Sequence, residues 1–199
     1  MCTESALPGA PRVRQGGLSL IELIIFMVIV SVGVVGLVSV IASLTRGSAD
    51  PMVRKQMMAI AESVLREAAD QPFTYCDPAD VNAATASSTA QCTGGAAASQ
   101  DKGGGALSTP SPTNETRYNA PQFNNVADYG GFSKLNIDDI TGNFAMAGYT
   151  ASVAVARAGG DFGLADAGAA LRVTVTVSHA GQDDYSLSTY RFRYAPRAF

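Results

Sequence analysis

Hydrophobic and polar positions divide the chain into three textures. Residues 18–44 are almost entirely apolar, 27 residues with a single ionisable side chain, Glu22. At about 1.5 Å of rise per residue, a helix of that length exceeds a hydrocarbon core of about 30 Å. The stretch therefore predicts a membrane-spanning helix. Over residues 51–69 the pattern changes: Val53, Met57, Ile60, Val64 and Ala68 recur at steps of three and four. Arg54, Lys55, Glu62, Arg66 and Glu67 populate the other side, which predicts an amphipathic helix that packs on a sheet. Asp50 and Pro51 read as N-cap and first helical residue, so the long helix is expected to be kinked or broken there. The third texture is alternation. Residues 149–156 carry Val153 and Val155 at strand spacing, and residues 171–178 set Val173, Val175 and Val177 against Thr174, Thr176 and Ser178. Residues 185–194 set Tyr190, Phe192 and Tyr194 against Arg191 and Arg193. Three strands with one buried face each follow, antiparallel because glycine-rich turns at 159–161 and 181–184 connect them. With the valine face covering the amphipathic helix, the fold class is α+β.

Between helix and strands the pattern weakens. Over residues 79–114 the only large aliphatics are Val81 and Leu107, amid alanine, serine, threonine and glycine. Such a tract is not expected to bury a core. Gly103-Gly104-Gly105 lacks the Lys-Ser/Thr of a phosphate-binding loop and reads as a flexible linker. A short helical turn is expected at 124–128 and a loop at 137–139. Met52, Met57 and Met58 read as packing filler.

Composition narrows the function classes. The chain has 199 residues, net charge −3, one histidine and no tryptophan. Without a basic tract, nucleic-acid binding through a surface patch is not expected. Residues 1–17 hold Arg12 and Arg14 and too little apolar content to fold. An ordinary secretory signal would follow its apolar core with a small-residue cleavage site, and here the apolar segment is too long for that. Counting basic residues does not orient the span, because Arg46, Arg54 and Lys55 follow it while Arg12 and Arg14 precede it. Gly33 and Gly36 fit either close helix approach or the ordinary tolerance of glycine in a membrane helix.

The string Gly17, Leu18-Ser19-Leu20-Ile21-Glu22-Leu23 resembles the cleavage motif of type IV prepilins and type II secretion pseudopilins. The resemblance implies a pilin-like fold, a long N-terminal helix packed on a small C-terminal antiparallel sheet. It also implies that a prepilin peptidase cuts after Gly17, leaving Leu18 as an N-methylated first residue. Leu18 stands where the family usually has phenylalanine. Removal of residues 1–17, with Glu4, Arg12 and Arg14, would leave 12 basic against 16 acidic side chains, a charge of −4. In the family the glutamate at the position of Glu22 attracts the N-terminal amine of a neighbouring subunit. A carboxylate inside a span costs about 2.5–3.5 kcal/mol on insertion scales, so it is usually paired or functional. The alternative is that Glu22 snorkels to the headgroups.

The wording at Ser48-Ala49-Asp50-Pro51-Met52-Val53-Arg54-Lys55-Gln56 and Ala59-Ile60-Ala61-Glu62-Ser63 is similar to minor prepilins of the mannose-sensitive haemagglutinin (MSHA) pilus, specifically the D-type biogenesis proteins. The similarity extends through Phe73-Thr74-Tyr75-Cys76-Asp77-Pro78 and Asn125-Val126-Ala127-Asp128-Tyr129-Gly130-Gly131-Phe132. It implies a leader at 1–17, a membrane and filament-core helix at 18–45, and its amphipathic continuation at 46–70. A disulfide-containing loop region at 71–125 and a sheet region at 126–199 would complete the chain. The partners implied are the lipid bilayer, other pilin subunits, prepilin peptidase and the inner-membrane assembly machinery. The chain would sit in a bacterial inner membrane with its C-terminal domain exported, and enter the filament on assembly. Once a leader carrying Cys2 is removed, Cys76 and Cys92 are the cysteines left, and in an exported domain they read as one disulfide. The Asn114-Glu115-Thr116 sequon reads as coincidence in a bacterium.

No enzyme signature, cofactor motif or metal motif is read from the chain. Asp161 and Asp166 flank a glycine-rich loop, either as calcium ligands of the kind some pseudopilins use or as a solvated turn. His179, near Asp183 and Asp184, reads as a surface residue, since a triad needs spatial evidence. Three functions remain open at this point: a minor pilin of an MSHA-like pilus, a minor type II pseudopilin, and a membrane-anchored ectodomain that is an enzyme or receptor.

Overall fold

The computed structural model describes Gly17, residues 19–143 and residues 145–194, and only the backbone of residues 43–50. The expected leader up to residue 16, Leu18, and the last five residues of the sheet region lie outside the described residues. Two compact units divide between Ser48 and Ala49.

The first unit is helix. Helix α1 spans Leu20–Ala69, and its stretch Leu20–Ala42 is long and apolar enough to cross a membrane. Every side chain of that stretch is exposed, as an apolar surface built for lipid or for other helices would be. Backbone N–H groups of Glu22 and Leu23 donate to the Ser19 carbonyl, closing the first turn. Ser31 Oγ donates to the Met27 carbonyl at 2.6 Å, which satisfies the only hydroxyl between Leu20 and Leu37 without a partner chain.

Pro51 lies inside α1, so the helix anticipated from residue 51 is the C-terminal part of one element. Asp50 is helical, and the N-cap reading is corrected. Proline removes a single i→i−4 bond, and the helical backbone is kept on both sides of it.

The second unit packs the last turns of α1 on a four-stranded antiparallel sheet in the order β1-β2-β3-β4: Ser133–Leu135, Tyr149–Arg157, Ala170–His179 and Tyr185–Phe192. The α+β pilin-like arrangement follows. Met57, Ile60, Ala61, Val64, Leu65 and Ala68 from the helix meet Val153, Val155, Val173, Val175 and Val177 in one core. Register explains the agreement: Val153 pairs with Val175 and Val155 with Val173, so the valines fall on one face. Of the three methionines, only Met57 is core, while Met52 and Met58 are exposed. Strand β1 was not anticipated; it is a three-residue edge strand without an alternating signal.

Strand β4 reverses its expected faces. Tyr190, Phe192 and Tyr194 are exposed, and Arg191 and Arg193 turn inward. Side-chain direction has a period of two, so the inward set is fixed by Tyr185 and Leu187 against the core. The arginines follow the same parity and are compensated by acids and carbonyls. Arg191 Nη2 donates to the Gln71 carbonyl at 3.1 Å. On the outer face Phe162 packs edge-on against Tyr190 and Phe192, at 5.0 and 4.8 Å between centroids.

The region before the strands has a core, contrary to expectation, and it is mostly polar. Gln100 is buried and adds side-chain bonds to the isolated antiparallel bridge between Cys76 and Ser99. Its Oε1 accepts from Thr74 N at 3.0 Å, and its Nε2 donates to the Cys76 carbonyl at 2.8 Å. Cys76 is bonded to Cys92, and the pair packs on Ala86 and Tyr75. Thr74, Ser99 and Gln100 can be buried here because each finds a partner. The triple glycine forms a tight turn: Gly103 has φ +53°, and a Cβ there would stand 2.8 Å from that of Ala96.

Candidate functional site

Two places carry the chemistry: the start of α1 and a set of buried charges in the C-terminal unit. At the first, Gly17 is exposed ahead of the helix, and Glu22 stands in its first turn with its side chain exposed. A carboxylate there meets the positive end of the helix dipole. Gly33 and Gly36 have nothing within 4 Å of a would-be Cβ, which leaves the backbone open to close approach along this face.

At the second place, three polar clusters hold the C-terminal unit together. In the first, Arg117 donates bidentately to Glu67, Nε to Oε1 at 2.9 Å and Nη2 to Oε2 at 2.6 Å. Tyr129 OH donates to the same Oε1 at 2.9 Å. Glu67 thus belongs to the inner side of the helix, a correction to its place on the solvent face. Burial is the largest influence and opposes the Arg117 charge, but the bond to Glu67, the Glu67 charge and Tyr118 together outweigh it and raise the pKa. Burial, then the Glu67 charge, raises that of Tyr129. The Arg117–Glu67 pair forms part of the wall of a cavity of about 530 Å³, whose lining also includes the apolar Ile60, Val64 and Ile137 and the polar Gln56, Asp138 and Asp139. Within that wall Arg117 and Glu67 neutralise each other, and Asp138 pairs with Lys134 at 3.5 Å.

The second cluster centres on Arg193, which bonds Asp101 Oδ2 at 2.7 Å, Asp166 Oδ2 at 2.6 Å and the Gly168 carbonyl at 2.6 Å. Its guanidinium lies 4.9 Å from the Tyr75 ring centroid. Asp166 is therefore an ion-pair partner whose side chain also caps the turn at Gly168. Asp161 remains an exposed residue of the neighbouring turn. His179 stacks on Tyr149 at 4.6 Å, with Nδ1 3.0 Å from the Ala180 carbonyl.

The third cluster joins Asp77, Glu115 and Asp128, all buried, with one carboxylate oxygen of each within 4.8 Å of the others. Asn125 caps the turn Val126–Tyr129 reciprocally with Asp128. Its Nδ2 donates to Asp77 Oδ2 at 3.0 Å and to Asp128 Oδ2 at 2.6 Å. Burial, then Asp128, pushes the Glu115 carboxyl up to about 8; burial also raises Asp77. Sequence reading missed this set, although Asn125 and Asp128 at a spacing of three are a visible cap signal.

Comparison with known families matches residues 12–38 to the prokaryotic N-terminal methylation motif. That motif, at the head of the apolar helix, indicates a type IV pilin-like protein. It implies processing by prepilin peptidase and assembly with other pilins, and it fits a membrane-anchored chain. Searches of curated proteins and of solved structures return no match.

Proposed function

We propose that this protein is a minor type IV pilin of the MSHA type that takes part in pilus assembly. The observation that carries the pilin reading is the methylation motif over residues 12–38, which runs into the apolar stretch Leu20–Ala42, whose side chains are all exposed. An isolated chain gains nothing from that surface outside a bilayer, whereas a filament buries it between neighbours. The similarity over residues 48–56, 59–63, 73–78 and 125–132 supports the MSHA assignment. In this reading prepilin peptidase cuts between Gly17 and Leu18, and Leu18 is methylated. The chain rests in the inner membrane with its C-terminal unit exported. During assembly Glu22 pairs with the amine of an adjacent subunit, a registry contact more than a source of stability. The C-terminal unit has a structural role and no enzymatic one.

The N-terminal mass from cells with and without prepilin peptidase tests this. A form beginning at Leu18 with one added methyl, present only with the peptidase, is expected; an intact leader in both strains refutes it. Glu22→Ala should be processed normally yet incorporate poorly into filaments. Co-purification with type II secretion components instead of pilus subunits would assign the chain as a minor pseudopilin.

A further inference from the structure

The carboxylates of Asp77, Glu115 and Asp128 reach one point from three separate segments. Asp77 follows the disulfide residue Cys76, Glu115 lies in the loop beyond residue 110, and Asp128 is in the turn Val126–Tyr129. Their exposures are 7, 4 and 1%. Three acids in a dry volume need compensation. Part of it is visible. Asp77 Oδ1 accepts from Ala79 N at 2.8 Å, Asp128 Oδ1 from Ser111 N at 3.1 Å, and Asp128 Oδ2 from Asn124 N and Asn125 N at 3.2 and 3.1 Å. Glu115 Oε1 accepts from Asn124 Nδ2 at 2.9 Å. Glu115 Oε2 is buried and has no hydrogen-bond partner. The neighbouring cation, Lys102, directs its ammonium to the Thr109 carbonyl.

We propose that Asp77, Glu115 and Asp128 form a binding site for a calcium ion. The donors are all oxygen, which favours a hard cation over zinc or copper. Calcium takes oxygens at about 2.3–2.6 Å, so opposed ligands stand up to about 5 Å apart. The 4.8 Å spread of the three oxygens fits that ion. Magnesium, at about 2.0–2.1 Å, would require the set to contract to roughly 4.2 Å. The ion supplies the partner that Glu115 Oε2 lacks. Turning the Asn124 amide over would offer its carbonyl oxygen as a further ligand. Bound calcium would tie the disulfide loop, the 115 loop and the Asn125 turn together in a region with little apolar core.

The test uses the full chain in detergent micelles, stripped with chelator and titrated with calcium chloride, with magnesium chloride as the comparison. Calorimetry should show one calcium per chain, and calcium should raise the melting temperature more than magnesium at equal concentration. Glu115→Gln should weaken calcium binding at least tenfold, whereas Asp161→Asn should leave it unchanged. In the wild-type chain, hydrogen exchange should slow on adding calcium at residues 76–80 and 112–128 and not at 159–168, a readout independent of whether a variant folds. No heat and no melting shift at 10 mM calcium, roughly ten times the weakest extracellular sites, would overturn the proposal. So would protection centred on 159–168, or a Glu115→Gln chain that binds as the wild type does.

Discussion

Arg193→Met isolates the buried ion pair that holds the end of β4 to the polar loop region. The Arg193 and Asp101 side chains are 5 and 6% exposed, while that of Asp166 is 57% exposed. Methionine keeps an apolar stem against Phe73 and Tyr75 and removes the charge. Asp101 would then lose its ion-pair partner, a loss of about 3–5 kcal/mol in comparable cases, with the Arg157 guanidinium still donating to the Asp101 carbonyl. The lower end applies, because Asp101 Oδ1 still accepts from Ser99 Oγ at 2.7 Å and Gly103 N at 3.2 Å; only Oδ2 is stranded. About 3 kcal/mol corresponds to a melting shift of roughly 6–12 °C for a chain of this size. Asp166→Asn should cost no more than about 1 kcal/mol, because solvent screens that pair. Asp101→Asn combined with Arg193→Met should recover part of the loss, since the stranded charge is gone. The assay is thermal and urea melting of the full chain in micelles, followed by circular dichroism. Equal losses from Arg193→Met and Asp166→Asn, or a loss under about 1 kcal/mol from the former, would refute the argument that burial sets the magnitude.

Three further outcomes are expected. Gly168→Ala should destabilise the same joint, because a Cβ there would stand 1.8 Å from Asp101 Oδ2 and 3.0 Å from Arg193 Nη2; the melting temperature reads it. Replacing Cys76 and Cys92 by serine should cost about 3 kcal/mol for a loop closed over a separation of 16, measured by urea melting under non-reducing conditions. Glu115 gives a pH dependence in chelator. Its folded pKa of about 8 lies above the ordinary 4.5, so its contribution is full below about 4.5 and is lost as pH rises towards 8. Raised Asp77 acts in the same direction. Calcium-free wild type should therefore lose stability relative to Glu115→Gln between pH 5 and 8, and parallel pH profiles would count against it.

What could be read from the sequence depended on whether apolarity or polarity decided the outcome. The membrane-type stretch, the inner face of α1 and the valines of β2 and β3 announce themselves by periodicity, because burial of apolar area is what places them. Strand β4 was visible as a strand but not in its parity. Tyr185 and Leu187 set the inward face, and the larger aromatic residues further along are carried outward with it. No local pattern distinguishes Arg193 as an inward residue, since Asp101 and Asp166, which make that position tolerable, lie 92 and 27 residues away. Glu67 was placed on the wrong face for the same reason: its partner Arg117 is 50 residues distant.

The loop region carries this furthest. Its composition, poor in large aliphatics, leaves room for only a small apolar cluster around the disulfide, and the expectation of no core fails because composition says nothing against a polar one. Gln100, Asn125, Asp77 and Asp128 order it through bonds whose partners are distant in sequence. The disulfide was legible because counting cysteines needs no geometry, whereas the acids at 77, 115 and 128 share no spacing that a motif could capture. A core of this kind has a specific vulnerability. Apolar packing fails gradually as contacts are lost, but a buried carboxylate deprived of its partner costs its full desolvation at once. The C-terminal unit should therefore be more sensitive to single charge substitutions in its loops, at Arg117, Arg193 or Asp128, than to conservative trimming of its valines, for which about 0.5–1.5 kcal/mol per methylene is typical. That ordering is what a domain stabilised by polar closure predicts and what one stabilised by its sheet does not.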